Sequence, residues 1–127
     1  MIINMPISLG ELVDKISILL IKEKNISDNK KLALIQKELS LLKDTLKKTI
    51  KDDKIDFYIK RLFEINTKLW RIEDDIRECE RNKDFGNKFI QLARSIYKNN
   101  DLRANVKKQI NKEFGSKIME VKSYKEY

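Results

Sequence analysis

The sequence predicts an all-α protein, and three features of the chain support this. Apolar residues recur at alternating spacings of three and four over long stretches, which is the period of one helix face. Only three glycines and one proline occur among 127 residues, fewer turn residues than a sheet protein needs. Capping residues precede several of the periodic stretches. We therefore predict one domain over residues 1–127, with about five helices around a long antiparallel helical hairpin.

The first helix is predicted from Leu9 to about Asn25. Ser8 and Glu11 form an S-x-x-E capping box at its start. Because this helix is apolar on more than one side, we expect it to be central and contacted by several neighbours. A polar turn follows, and a second helix then runs to about Ile50.

The longest predicted helix runs from about Asp53 to about Asn82. Its apolar stripe consists of Ile55, Tyr58, Leu62, Ile65, Leu69, Ile72, Ile76 and Cys79. Trp70, the only tryptophan, lies on a second row beside this stripe, so we expect it to be largely buried. The link before this helix is short, which predicts that the second and third helices form the hairpin. The rest of the chain is expected to pack around the third helix.

Two shorter helices are predicted next, separated by a break at Asn99–Asp101. The first runs from about Phe85 to Lys98. The second ends near Phe114, where Gly115 suits the position after a helix end.

The two ends of the chain are predicted to form a short β-ribbon. Met1–Ile7 is short and mostly apolar, and Lys117–Tyr124 alternates in part between apolar and polar residues. Such alternation is typical of a strand with one buried face.

The residue types present exclude several kinds of chemistry. There is no histidine, hence no histidine base, Ser/His triad or histidine-ligated metal. Cys79 is the only cysteine, which excludes an intramolecular disulfide and a cysteine zinc site. No apolar run approaches the ~20 residues of a membrane-spanning helix, and the amino terminus lacks a signal-peptide pattern. We expect a cytoplasmic protein that requires no membrane, metal or cofactor.

The net charge of +8 is concentrated in the last third of the chain. Residues 1–82 hold 17 basic and 15 acidic side chains, whereas residues 83–127 hold 11 and five. A basic surface attracts nucleic acid, phosphorylated ligands or acidic surfaces, although a solvated lysine-rich face is the commoner explanation. Few aromatic residues accompany the basic tail (Phe114, Tyr124 and Tyr127), and no helix-turn-helix pattern occurs. Nucleic acid is therefore not the expected partner.

All six arginines lie between residues 61 and 103, in a chain that otherwise prefers lysine. A guanidinium offers a planar fork of donors that lysine lacks, so the cluster points to carboxylate or phosphate contacts. The predicted turn at Asn99–Asp101 brings the basic groups on either side of it together. The candidate ligand-binding residues are Glu73, Arg77, Arg94, Tyr97, Asn100, Asp101, Arg103 and Lys107. The alternative is a polar clasp, in which these side chains hold helices together through intramolecular salt bridges.

An acidic cluster on the third helix invites a metal-binding interpretation. Its members are Glu73, Asp74, Asp75 and Glu78. All-helical nucleotide pyrophosphohydrolases hold magnesium with an E-x-x-E spacing and a later E-x-x-D pair, and no such second pair follows here. Arg77 lies four residues after Glu73, the favourable order for an ion pair on a helix surface. We therefore expect salt bridges in this cluster.

Two resemblances to known families follow from longer blocks. Leu12–Lys24 resembles the first helix of helical chorismate mutases, which bind a dicarboxylate with arginine and lysine, but this segment has no arginine. Ser8–Ile16, Leu69–Arg77, Phe89–Arg103 and Glu120–Tyr124 together resemble a bacterial and phage family of unknown function, DUF6165. This second resemblance spans nearly the whole chain and implies one small, mostly helical domain. It implies no activity.

The sequence therefore predicts a helical protein that binds a polar anionic small molecule, or that acts as a scaffold. A phosphorylated or carboxylated compound such as a sugar nucleotide fits the arginines. One alternative is a histidine-independent enzyme on an anionic metabolite, either chorismate-mutase-like or a metal-dependent nucleotide hydrolase. Another is a basic nucleic-acid-binding protein. The long apolar seams also predict a homodimer.

Overall fold

The computed structural model describes residues 1–127 and contains four α-helices and no strand. The helices are α1 (Leu9–Asn25), α2 (Asn29–Thr49), α3 (Lys54–Arg81) and α4 (Asn87–Glu113). The all-α prediction is confirmed, and the ends of α1, α2 and α3 lie within one residue of the predicted ends or of their caps. None of the helices combines the length and the apolar run that crossing a membrane requires.

The prediction of five helices is wrong, because α4 continues without a break through Asn99–Asp101. Asparagine and aspartate are only weak helix formers, and their cost relative to alanine is below about 1 kcal/mol each. The Asn99 side chain donates to the carbonyl of Ser95 and stays within the helical turn. Beyond this segment, Val106 and Ile110 are buried in the core, so packing outweighs the local preference for a turn.

The centre of the fold is α1. It packs against α2, α3 and α4, whereas α2 contacts only α1. The predicted central role of the first helix is confirmed. The predicted hairpin of the second and third helices is wrong, and so is the expectation that the chain packs around the third. Because α1 is apolar on several sides, burying it requires more than one neighbour, and it contacts all three of the other helices.

Helices α1, α3 and α4 form a three-helix bundle, α2 packs against α1, and all four helices contribute to one continuous core. Its twelve buried apolar side chains are Leu9, Leu12, Val13, Ile16, Leu19, Ile35, Leu39, Leu46, Ile55, Leu62, Val106 and Ile110. Five of the twelve belong to α1, which explains why this helix organises the others. Each fully buried Leu, Ile or Val side chain stabilises the fold by about 1.5–3 kcal/mol.

The first turn of α1 is docked closely onto the end of α4. Ser8 Oγ accepts from the Glu11 amide as a helix cap. The Gly10 amide donates to Asn111 Oδ1 at 2.7 Å, and the Leu9 amide donates to Ser116 Oγ at 3.2 Å. The Leu12 amide makes the first intrahelical bond, to the Ser8 carbonyl, and the three free amides before it, those of Leu9, Gly10 and Glu11, all have side-chain partners.

The segments outside the helices have no regular structure. The predicted ribbon of Met1–Ile7 with Lys117–Tyr124 is not confirmed, since neither segment forms a strand. The tail after α4 instead turns at Gly115, whose φ of 69° is in the left-handed region. It then runs back along α4, where Glu120 pairs with Lys107 at 3.2 Å.

Candidate ligand-binding cleft

A buried polar network joins α1, α3 and α4 at the middle of the bundle. Asp14 is 0% exposed, and its Oδ1 accepts from Asn66 Nδ2 and from Arg103 Nε, each at 2.9 Å. Arg103 Nη2 donates to the other carboxylate oxygen, so the guanidinium makes a bidentate, side-on contact with Asp14. Asn66 Nδ2 also donates to Ser17 Oγ at 2.8 Å. The carboxylate therefore binds one group from α3 and one from α4.

Sequence reasoning did not identify Asp14, Ser17 or Asn66 as members of a polar network. A signal was present, because Asp14 lies on a helix predicted to be contacted on several sides. A carboxylate in such a helix requires a buried cationic or hydrogen-bonding partner. Arginine, with its bidentate fork, is the residue best suited to supply it.

The network changes the pKa of the two basic side chains of α4 that face α1, Arg103 and Lys107. Hydrogen bonding to Asp14 raises the pKa of Arg103, more than burial lowers it. Burial lowers the pKa of Lys107, but the hydrogen bonds and charges of Glu11, Asp14 and Glu120 outweigh burial and leave that pKa raised. Lys107 Nζ donates to Glu11 Oε2 at 2.7 Å. Both basic groups therefore tie α4 to α1.

A cleft of about 570 Å³ opens beside this network, between α1, α3 and α4. Its apolar wall is formed by Ile18, Ile21, Leu69, Trp70 and Ile96. Its polar groups are Asn66, Glu73, Asp74, Arg77, Asn100 and Arg103. Four of the eight residues predicted to bind a ligand therefore line one cavity: Glu73, Arg77, Asn100 and Arg103.

The sequence predicted a largely buried Trp70, and the structure places it at intermediate burial, with part of its side chain exposed on the wall of this cleft. Leu69 and Glu73, which line the cleft beside it, are also of intermediate burial. Glu73 and Arg77 lie on the same side of α3, with Arg77 Nε 3.3 Å from Glu73 Oε2. The cleft thus combines an aromatic face with a mixed set of charges at its rim.

The other four predicted residues lie elsewhere. Arg94 is exposed on α4 and makes no ion pair. Tyr97 and Asp101 line a separate groove between α4 and the C-terminal tail. Lys107 forms ion pairs with Glu11 and Glu120. Because α4 is continuous, Arg94 and Arg103 do not converge around a turn as the sequence predicted.

The acidic cluster of α3 forms surface ion pairs, as expected. Glu73 pairs with Arg77, and Glu78 pairs with Arg81. The hydrogen bond from Arg81 holds the pKa of Glu78 below its ordinary value. No group of three or more cysteine, aspartate or glutamate side chains lies close enough together to hold a metal ion.

Comparisons with known proteins agree with the resemblance seen in the sequence. Neither a curated protein nor a solved structure matches the chain. A family of unknown function, DUF6165, matches residues 3–127, which include all four helices and every residue of the cleft and the buried network. The chain belongs to the DUF6165 family.

Proposed function

We propose that this protein binds a small polar molecule carrying a carboxylate or phosphate in the cleft between α1, α3 and α4. The observation that carries the proposal is the pairing of Arg103 with Asp14 beside the cavity. It fixes one guanidinium in place before any ligand arrives. A fixed donor loses little conformational entropy on binding, which favours affinity.

The pairing uses only one edge of the Arg103 guanidinium. Nε and Nη2 contact Asp14, whereas Nη1 has only a 3.5 Å contact with Asn100 Oδ1. The Arg103 side chain is 28% exposed. The outer edge, formed by Nη1 and Nη2, is therefore the group that contacts the ligand's anionic oxygens, and the exposed Arg77 supplies a second cation at the rim.

The remaining lining suits the rest of such a molecule. Trp70 and the aliphatic side chains beside it offer an apolar face to a ring. The carboxylates of Glu73 and Asp74 accept hydrogen bonds from hydroxyl or amino groups. A volume of about 570 Å³ lies within the usual range of small-molecule sites, about 300–1,000 Å³. A compound with a ring, several hydroxyls and a phosphate, such as a sugar nucleotide, matches this combination.

The fluorescence of Trp70 provides a direct test, because it is the only tryptophan and it lines the cleft. Nucleotides, sugar nucleotides and dicarboxylates should be titrated against the protein, and we expect one of these classes to change the emission saturably. Arg77→Gln and Asn100→Ala should then weaken binding about ten-fold or more, since a hydrogen bond to a charged group contributes about 1.5–3 kcal/mol.

Arg94→Gln is the matched control. It removes one arginine charge from the exposed face of α4 and should leave affinity unchanged. All three variants should keep the melting temperature of the parent, because the Glu73–Arg77 pair is exposed and such pairs contribute little stability. If none of the compounds changes the emission, or if Arg94→Gln weakens binding as much as Arg77→Gln does, the cleft is not the binding site.

A further inference from the structure

A second groove, about 730 Å³ in volume, lies between α4 and the C-terminal tail. It is on the side of α4 that faces away from the bundle, so it shares no lining residue with the cleft described above. Three tyrosines and three lysines dominate its lining: Tyr97, Tyr124, Tyr127, Lys98, Lys122 and Lys125. Asp101 and Glu126 also line the groove, and Lys122 pairs with Glu120, so its lysines without an ion pair are Lys98 and Lys125.

The tyrosines are brought together from distant parts of the chain. The rings of Tyr97 and Tyr127 are stacked, with centroids 5.2 Å apart and planes inclined by 23°. Interaction with the Asp101 carboxylate raises the pKa of Tyr127. Tyr97 and Tyr124 are 41% and 78% exposed, and the Lys122 ammonium lies 5.9 Å from the centre of the Tyr124 ring. Aromatic faces are therefore available to a planar group that enters the groove.

A strip of positive charge runs along the same side of α4. Arg94, Lys98, Lys108 and Lys112 recur at helical spacing, all are exposed, and none makes an ion pair. At 1.5 Å per residue, they span about 27 Å of the helix. Residues 83–127, which include this strip and the tail, hold 11 basic and five acidic side chains. Together the groove and the strip hold six basic side chains and two acidic ones, Asp101 and Glu126.

We infer that this groove and the adjoining strip of α4 bind single-stranded nucleic acid. Unstacked bases pack on tyrosine faces, and the phosphates that follow them contact the lysines and Arg94. A duplex keeps its bases stacked inside and offers only its charge, so it makes no use of the tyrosines. The aromatic residues that the sequence offered in the tail were few, but the fold adds Tyr97 of α4 to Tyr124 and Tyr127.

The test is fluorescence anisotropy of a short labelled oligouridine at several salt concentrations. We expect binding that weakens as salt rises, because bound counterions are released. Lys98→Gln should lower the slope of log affinity against log salt by about 0.7, the value for one phosphate contact on a single strand. Tyr97→Leu and Tyr124→Leu should each weaken binding about five-fold or more and leave that slope unchanged.

Two control variants separate this site from general attraction to a basic protein. Lys37→Gln removes an exposed, unpaired lysine on α2, and Phe57→Leu removes an exposed aromatic ring on α3. Neither should change affinity or slope. The inference is overturned if the oligouridine does not bind, if a duplex of equal charge binds as tightly, or if Lys37→Gln acts like Lys98→Gln. It is also overturned if both tyrosine variants bind normally.

Discussion

Asp14 shows how one buried side chain determines the relative positions of three helices. Its carboxylate accepts hydrogen bonds from Asn66 and Arg103, and its own carbonyl accepts from Ser17 Oγ at 2.7 Å. Removing one partner of a buried ion pair leaves an uncompensated charge and costs about 3–5 kcal/mol. The network therefore stabilises one arrangement of α1, α3 and α4 over others that the apolar core alone would allow.

The replacement Arg103→Lys tests this role at the level of one residue. Lysine keeps the charge but cannot donate to both oxygens of Asp14, so we expect the free energy of unfolding to fall by about 2 kcal/mol. Arg94→Lys, on the exposed face of the same helix, should change it by less than about 0.5 kcal/mol. Urea denaturation of both variants measures the difference. If the Arg103→Lys and Arg94→Lys variants are equally stable, the bidentate contact between Arg103 and Asp14 contributes nothing to the free energy of unfolding.

Among the helices, the start of α1 and the end of α4 approach each other closely. A Cβ atom added to Gly10 would lie 2.6 Å from the Lys107 carbonyl oxygen, which belongs to the backbone and cannot move independently. We predict that Gly10→Ala destabilises the protein by about 1–3 kcal/mol, although alanine is the better helix former. A melting temperature equal to that of the parent would show that α1 can move away from α4 without loss.

Gly86→Ser is the matched control for the change at Gly10. Gly86 is the N-cap of α4, and a Cβ atom there would meet only Asp84 Oδ1 at 3.4 Å, an ordinary contact. Serine is a preferred N-cap residue, so the variant should be at least as stable as the parent. Gly10→Ala should therefore lower the melting temperature, whereas Gly86→Ser should leave it unchanged or raise it.

The helix ends that carry a local signal were the predictable part of the fold. Ser8 caps α1 as predicted, and Gly115 ends α4 with a positive φ. The interior of α4 was not predictable in this way, since the weak local signal of Asn99–Asp101 is overridden by burial of residues further along. The pairing of α1 with α3 was equally hidden, because apolar stripes show that a helix has neighbours but not which ones.

The candidate cleft was predictable only in part, for a related reason. Glu73 and Arg77 could be placed on one helix face by their spacing alone. Asn100 and Arg103 reach the same cavity only because α4 is continuous and antiparallel to α1. The contribution of Ile18 and Ile21 from α1 depends on that tertiary arrangement too.

For the molecule as a whole, the accessible surface is large for its mass. It measures 9465 Å², about 2,400 Å² more than a folded monomer of 15.1 kDa usually exposes. A stable interface covers about 800 Å² of each partner. α2 contacts only α1 and carries Leu34 and Leu41, which are 70% and 44% exposed and seven residues apart on one face. We therefore keep the prediction of a homodimer and assign its interface to α2.

Sedimentation equilibrium tests this prediction. We expect a mass near twice 15.1 kDa, and a shift toward the monomer when Leu34 and Leu41 are both replaced by Glu. Ile90→Glu is the control, since it adds the same charge at an exposed apolar position of α4. A mass of one chain at all concentrations would refute the dimer, and dissociation by Ile90→Glu alone would move the interface to α4.

The docking of α1 onto the end of α4 also has a consequence for how the chain folds during synthesis. The Gly10 amide finds its partner in Asn111, 101 residues later, and the Leu9 amide in Ser116, 107 residues later. Contacts of such long range form late and slow folding. While only the first three helices have left the ribosome, the side of α1 that will contact α4 is exposed. Asp14 then has no Arg103 to pair with. The central helix is thus made before the other three helices and completed last, and until then its apolar surface is open to chaperones.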